Sequence, residues 1–285
     1  MFSRSFVFLQ GMTPDQERAL WKAGYLSWDA LLDALPDLPV QPRQKARWRR
    51  QLLQAQEAYR ERNARWFERV LPPAERWRLI PDFWPWTAFV DVEAYQIRPG
   101  QYRMTLAGIV VNHDYRVFVA GRNLHEVPQV LESVRLMISF GGQGFDLQML
   151  EQTYPHWRRP FAHLDLQPMF KLVGLPQGLK KLERMFGWRR GAGLDGMGGW
   201  LAVQLWERHR EGDDRALKAL IRYNFEDVVR LPFLAAFIYN RIVEQLEYPF
   251  PPFRPDLPRL TPPPMDRSIV YEIRHRRPWH ARPPG

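Results

Sequence analysis

The chain has 285 residues, 45% hydrophobic and 25% charged, with no cysteine. This is the length of one large domain, or one plus an appendage, and the composition excludes wholesale disorder, collagen, disulfides, thiolate metal sites and cysteine nucleophiles. The net charge of +10 sits at the ends, with 14 basic against 9 acidic side chains over 1–80 and 7 against 3 over 249–285, leaving 20 against 19 between them. Such a distribution fits basic appendages gripping a polyanion around a balanced working domain.

In chain order, residues 1–80 read as helical. Thr13 is an N-cap candidate for the run after it, with Pro14 at the first helical position and Gly24 at the stop. Ser27 can cap a second helix, and a long polar helix with apolar spacing runs from Arg43 to Val70 until Pro72 and Pro73 end it. Trp77–Trp86, aromatic and punctuated by proline, reads as a packed connector. From Thr87 the period changes to that of strands: TAFVDVEAY, then YRMTLAGIVV and DYRVFVAG joined by an Asn112–His113 hairpin turn. LHEVPQVLESV reads as helix, LMISF as a buried strand, FDLQMLEQTY as helix and AHLDLQ as a short strand. Helices are expected near 178–186, 197–210 and 213–245. The last stretch, 249–285, holds 11 of the 26 prolines and reads as an extended, partly mobile tail. The division expected is 1–80, 81–248 and 249–285, with the middle part an α/β domain, a mixed sheet covered by helices. No apolar run reaches the roughly 18–20 residues that span a bilayer, and the opening MFSRSFVFLQGM is too short for a signal peptide. The expectation is a cytoplasmic protein without a membrane partner.

The chemistry lies in acidic residues. Asp91 and Glu93, two apart in an apolar strand, project to one face. Two like charges there repel and resist desolvation unless the sheet end is open or a divalent cation joins them, and carboxylates are the hard ligands that Mg²⁺ and Mn²⁺ prefer. Asp146 follows a strand and the GGQG turn at a helix start, where an ordinary cap is the competing reading. Tyr223 and Asp227, four apart, share one face of an amphipathic helix; alone they read as a structural hydrogen bond.

Taken together, the order Asp91-Val92-Glu93, Phe145-Asp146, Tyr223-x-x-x-Asp227 resembles the DEDD 3′–5′ exonuclease superfamily, in its tyrosine subtype. GLKKLERMFGWRR and ALKALIRYNFEDVVRL also look like an uncharacterised bacterial branch of RNase H-like predicted exonucleases, in which a helical segment precedes the nuclease domain. The resemblance covers about 87–245, and more loosely 6–83. It implies an RNase H-like fold with a five-stranded mixed sheet, and two ions, Mg²⁺ or Mn²⁺, held by Asp91, Glu93, Asp146 and Asp227. Tyr223 would bond the attacking water, and single-stranded DNA or RNA would be cut to nucleoside 5′-monophosphates. Ala94 and Gly141 depart from the Thr and Asn common in that family.

Other signals point to nucleic acid or to nothing catalytic. GAGLDG (191–196) fits G-x-G-x-x-G, but follows a charged helix instead of a strand, and so reads as a connector. Arg189 and Arg190 before it are candidate phosphate contacts, or simply an exposed basic loop. The segment around Gly11-Met12-Thr13 resembles a helix-hairpin-helix element that grips a nucleic-acid backbone, without its second glycine. Arg47, Arg49 and Arg50, interleaved with Trp48, suit phosphate pairing and base stacking, or a solvated helix face. His163 and Asp165 read as accessory or structural, and His275 and His280 show no ligand spacing. A non-catalytic nucleic-acid binder and a structure-specific endonuclease are the alternatives.

Overall fold

The Thr13 hydroxyl accepts from the Gln16 N–H while the Gln16 side chain accepts from the Thr13 N–H, a reciprocal cap that opens α1 (Pro14–Lys22) with proline at its start. Ser27 caps α2 (Trp28–Ala34) with its hydroxyl alone, which accepts from the Ala30 N–H. The single long helix expected next is two, α3 (Pro42–Arg60) and α4 (Ala64–Val70). Arg62 turns to a φ of 56° between them and Asn63 starts the second by accepting from the Trp66 N–H. A 3₁₀ stretch (Pro73–Leu79) and the short α5 (Ile80–Phe83) form the aromatic connector, in which Trp77 is buried. The computed structural model describes residues 2–141, 145–245 and 247–275. Residues 142–144 of the GGQG turn and His280 lie outside them.

Three antiparallel strands follow: β1 (Thr87–Arg98), β2 (Gln101–Val111) and β3 (Asp114–Val119). Asn112 and His113, at φ 50° and 64°, make the two-residue turn between the last two, the left-handed pair that matches strand twist. The expected helix over LHEVPQVLESV is reduced to a 3₁₀ turn and α6 (Val127–Val130). β4 (Leu136–Ser139) joins β1 in parallel, α7 (Asp146–Thr153) crosses the sheet, and β5 (Ala162–Asp165) joins β4 in parallel. The sheet order is β3-β2-β1-β4-β5, so β1 is central.

Next come α8 (Leu166–Leu172), α9 (Leu179–Met185) and α10 (Gly199–Arg210). The stretch expected as one helix over 213–245 is split into α11 (Asp214–Val228) and α12 (Leu231–Gln245). Pro232, in the first turn of the second, has no N–H to continue the ladder. Residues 249–267 have no regular structure, but they are packed: Phe250 meets Trp21 and Trp77, Phe253 meets Trp84 and Tyr239, and Arg222 donates to the Pro263 carbonyl. The chain then forms α13 (Ser268–His275), whose Ile269, Val270 and Ile273 are buried against α10 and α11.

Alternation along β1 builds two faces. Ala88, Val90 and Val92 pack under α7 with Ile109 and Met137. Phe89, Asp91 and Glu93 face the other way, paired with Val110, Gly108 and Leu106, where α11 covers the sheet. A register shift after Glu93 leaves Thr105 bulged, and the Thr105 hydroxyl donates to the Glu93 carbonyl; bulges re-aim side chains beside such sites. The N-terminal helices share one continuous apolar core with β4, β5, α8 and α12. Glu68 of α4 also ties to the sheet, pairing with Arg159 and accepting from the His163 N–H.

Candidate metal centre

Asp91, Glu93 and Asp227 come together, each offering an oxygen within 4.8 Å of the others. Two come from neighbouring same-face positions of β1 and the third from α11 above them. Asp146, first residue of α7, sits on the flank. β4 stops pairing with β1 at Phe89, which leaves the Val92 N–H open, and the Asp146 Oδ1 accepts it at 3.0 Å. Asp146 thus braces the strand between the two acids it was expected to join.

The electrostatics are those of crowded, dry carboxylates. Burial first, then the charges of Asp227, Glu93 and Asp146, push Asp91 well above its ordinary value. Burial and Asp227 do the same to Glu93, against the nearby Asn224 amide. Asp146 is pushed up to about 7 by burial, against the Val92 hydrogen bond. Asp227 is raised by burial although Arg190 opposes it. The Tyr223 hydroxyl, buried beside Asp227, is pushed far above the ordinary tyrosine range; it stays protonated and can donate.

Arg47, Arg49 and Arg50 are exposed on α3, flanking the buried Trp48. Arg189 is exposed at the edge of the centre, whereas Arg190 is buried. Its guanidinium bonds Asp227 Oδ1 and both oxygens of Glu183, with its Cζ 5.5 Å from the Tyr223 ring centroid. Glu183 in turn pairs with Arg230, Arg230 with Glu226 at 3.1 Å, and Glu226 with Arg222 at 2.7 Å. His163 is buried against the Ser139 hydroxyl, and Asp165 accepts from the Gly141 and Gln167 N–H groups, so both serve the ends of β4 and β5. Gly141 has a φ of 74°, a conformation that glycine takes without strain and asparagine tolerates.

Residues that the motifs do not include complete the site. Asn224, fully buried, donates from Nδ2 to Asp91 Oδ2 at 2.7 Å and to the Asp91 carbonyl at 3.0 Å. Both targets only accept, so the amide oxygen must face the other way, where the Tyr115 hydroxyl donates to it at 3.1 Å. Room for this amide comes from Gly108, opposite Asp91: a Cβ there would lie 1.7 Å from Asn224 Oδ1. The lone glycine in YRMTLAGIVV was the signal, since a glycine inside a strand marks a close approach. Lys180 of α9 also reaches the centre, its Nζ 5.8 Å from the Tyr223 ring centroid.

The family model described as the RNase_H superfamily (RNase_H_2) matches residues 88–239, from β1 through most of α12. The chain belongs to the RNase H superfamily. No curated protein matches it. Among solved structures, this superfamily member is similar to Brucella melitensis NrnC with bound Mg²⁺, at 17% identity over 59% of this chain and 79% of that one, TM-score 0.38. It is also similar to the Aedes aegypti Nibbler EXO domain, at 12% identity over 70% and 91%, TM-score 0.41. A third likeness is the family B DNA polymerase of Pyrobaculum calidifontis, at 16% identity over 54% of this chain and 25% of that one, TM-score 0.41.

The residues fit a divalent cation. Glu93 Oε1 is buried with no partner among the described residues, and hard oxygen donors converge on it from two other carboxylates. No described helix is long and apolar enough to cross a membrane.

Proposed function

We propose that the chain is a metal-dependent 3′–5′ exonuclease that hydrolyses single-stranded DNA or RNA to nucleoside 5′-monophosphates with two ions, Mg²⁺ or Mn²⁺. The observation that carries this reading is the meeting of Asp91, Glu93 and Asp227 on the covered face of a superfamily sheet, around a buried oxygen that lacks a partner among the described residues. Asp91, Glu93, Asp146 and Asp227 would hold the ions. When bound, divalent ions lower the pKa of water and offset the charge that builds on the phosphate.

The protein's own groups do the remaining work. Asn224 fixes the rotamer of Asp91, and Asp146 holds the strand that carries Asp91 and Glu93. Arg190, bonded to Asp227, opposes the upward push of burial on that carboxyl. Tyr223 donates a hydrogen bond to the attacking water without acting as a base, because its hydroxyl keeps its proton throughout the working pH range. Arg47, Arg49, Arg50 and Arg189 offer phosphate contacts outside the centre, whereas Arg190, buried between Glu183 and Asp227, positions carboxylates instead.

The test is cleavage of an end-labelled oligonucleotide and of a circular single strand with Mg²⁺ or Mn²⁺. Mononucleotides released from the 3′ end, with the circle intact, are expected. A cut circle would favour an endonuclease, and binding without cleavage under either metal a non-catalytic binder. Asp227→Ala should abolish cleavage while binding survives, and wild-type cleavage by that variant would overturn the site.

A further inference from the structure

Beside the centre lies a cleft of about 510 Å³, lined by Lys180, Glu183, Arg184, Trp188, Arg189 and Asp195 among others. It connects to the carboxylates through Arg190: Glu183 lines it and binds the same Arg190 that binds Asp227. Lys180 stands at the junction, where burial and Arg190 lower its ammonium and Asp227, Glu183 and Glu93 support it.

The cleft is a cationic lining with one aromatic wall. Its two acids are already engaged, Glu183 by Arg190 and Arg230 and Asp195 by the Arg190 N–H at 2.7 Å, while Arg184 and Arg189 are exposed. The positive charge of Arg184 and Arg189 therefore faces solvent, with half-buried Lys180 between them and a centre built for phosphodiesters. Trp188 is held by Phe186, stacked at 4.8 Å, and by the edge of Phe233 at 5.1 Å, and Phe233 is itself 37% exposed. Cations that pair with phosphates beside a fixed aromatic group are the elements that bind single strands, whose unpaired bases can pack on a ring. Bases inside a duplex cannot reach one. The other basic patch, around Arg49 and Arg50 on α3, has no such tie to the carboxylates.

We propose that this cleft seats the single-stranded nucleotides adjoining the scissile phosphate, with Lys180, Arg184 and Arg189 on phosphates and Trp188 against a base. This rests on the nuclease reading and names the residues that would hold its single-stranded substrate.

The experiment is fluorescence anisotropy of the full chain with a fluorescein-labelled ten-nucleotide thymidylate strand, and with a duplex of the same length, in EDTA across a salt series. The wild type should prefer the strand. Arg184→Gln with Arg189→Gln should weaken strand binding and make the salt slope shallower by about 1.4, at roughly 0.7 for each single-strand phosphate left without its arginine. Trp188→Ala should weaken binding about fivefold or more, the equivalent of at least ~1 kcal/mol of base–aromatic stacking, with the slope unchanged and affinity restored by Trp188→Phe. The two arginines are exposed, so their variant should melt like the wild type. Wild-type strand affinity in both the arginine and the tryptophan variants, or a wild-type preference for duplex, would overturn the cleft and leave the nuclease reading standing. A wild type that neither binds the strand in EDTA nor cuts it with Mn²⁺ would overturn both.

Discussion

Gly108→Ala adds one methyl group in the middle of β2, and the structure says what it would hit. The new Cβ would lie 1.7 Å from Asn224 Oδ1, 2.8 Å from its Cγ and 3.1 Å from Tyr115 Cε2. Gly108 is paired with Asp91 within a continuous ladder, so the penalty is steric and has nothing to do with backbone freedom. Asn224 is fully buried and cannot swing into water. It must give up its bonds to Asp91 and to the Tyr115 hydroxyl, or push α11 off the sheet. Overpacking of this kind costs roughly 1–3 kcal/mol, and breaking bonds to a charged acceptor about 1.5–3 more. At about 2–4 °C per kcal/mol for a chain of this size, the melting temperature in EDTA should fall by roughly 5–24 °C. Asp91 is deprived of its positioning partner as well, and displacing such a group typically weakens metal binding about 10–100-fold, which titration calorimetry with Mn²⁺ would read. Adding Asn224→Ala to Gly108→Ala should recover part of the stability by removing the clash, without recovering Mn²⁺ affinity. A Gly108→Ala protein that melts and binds Mn²⁺ like the wild type would refute this account, as would a double variant no more stable than the single one.

Two further outcomes follow from buried charge. Asp146, pushed up to about 7, binds a proton in the folded chain that it lacks in the unfolded one between about pH 4 and 7, and burial raises Asp91 and Glu93 in the same direction, so metal must displace protons there; the rise in melting temperature produced by Mn²⁺ should grow from pH 5.5 to 8, and a rise that shrinks over that range would contradict the assignment. Arg78→Met should cost about 3–5 kcal/mol in a denaturant titration. It strips the buried partner, at 2.7 Å, from Glu17, whose Oε1 also accepts the Phe6 and Val7 N–H groups.

Much of this architecture was legible because it rests on local chemistry. The Thr13 and Ser27 caps, the Asn112–His113 turn and the period-two run of β1 each follow from neighbours in sequence. So does the pairing of Asp91 with Glu93 on one face. What was not legible depends on distance. Arg189 and Arg190 look alike in sequence, yet Glu183 and Asp227, 7 and 37 positions away, draw only the second inside. The prolines of the tail signalled an extended stretch over 249–285, but Ser268–His275 in it is helical because Ile269, Val270 and Ile273 find an apolar seat, and Phe250 and Phe253 pin the irregular part to Trp21, Trp77 and Trp84. The first 80 residues read as an appendage because their period and charge differ. Their apolar faces nevertheless complete the core that β4, β5 and α12 begin, so cutting the chain at 80 would open that core as well as remove basic charge.

The distribution of partners around the acids leads to one more consequence. Asp227 has Arg190, Asp91 has the Asn224 amide and Asp146 has the Val92 N–H, while Glu93 Oε1 is buried with none among the described residues. Among the carboxylates of the centre the unmet demand therefore falls on this one oxygen, which burial and Asp227 press to take a proton. Glu93→Gln removes that charge at nearly constant shape and supplies an N–H in a pocket of acceptors. The variant should melt above the wild type in EDTA, by a few degrees if it relieves about 1 kcal/mol, and should lose the Mn²⁺-dependent rise altogether. Such an exchange of stability for function is expected where an active site keeps like charges together. A Glu93→Gln protein that melts lower than the wild type without metal would show that Glu93 is already satisfied in the free chain, and the case for a cation at this position would lose its main support.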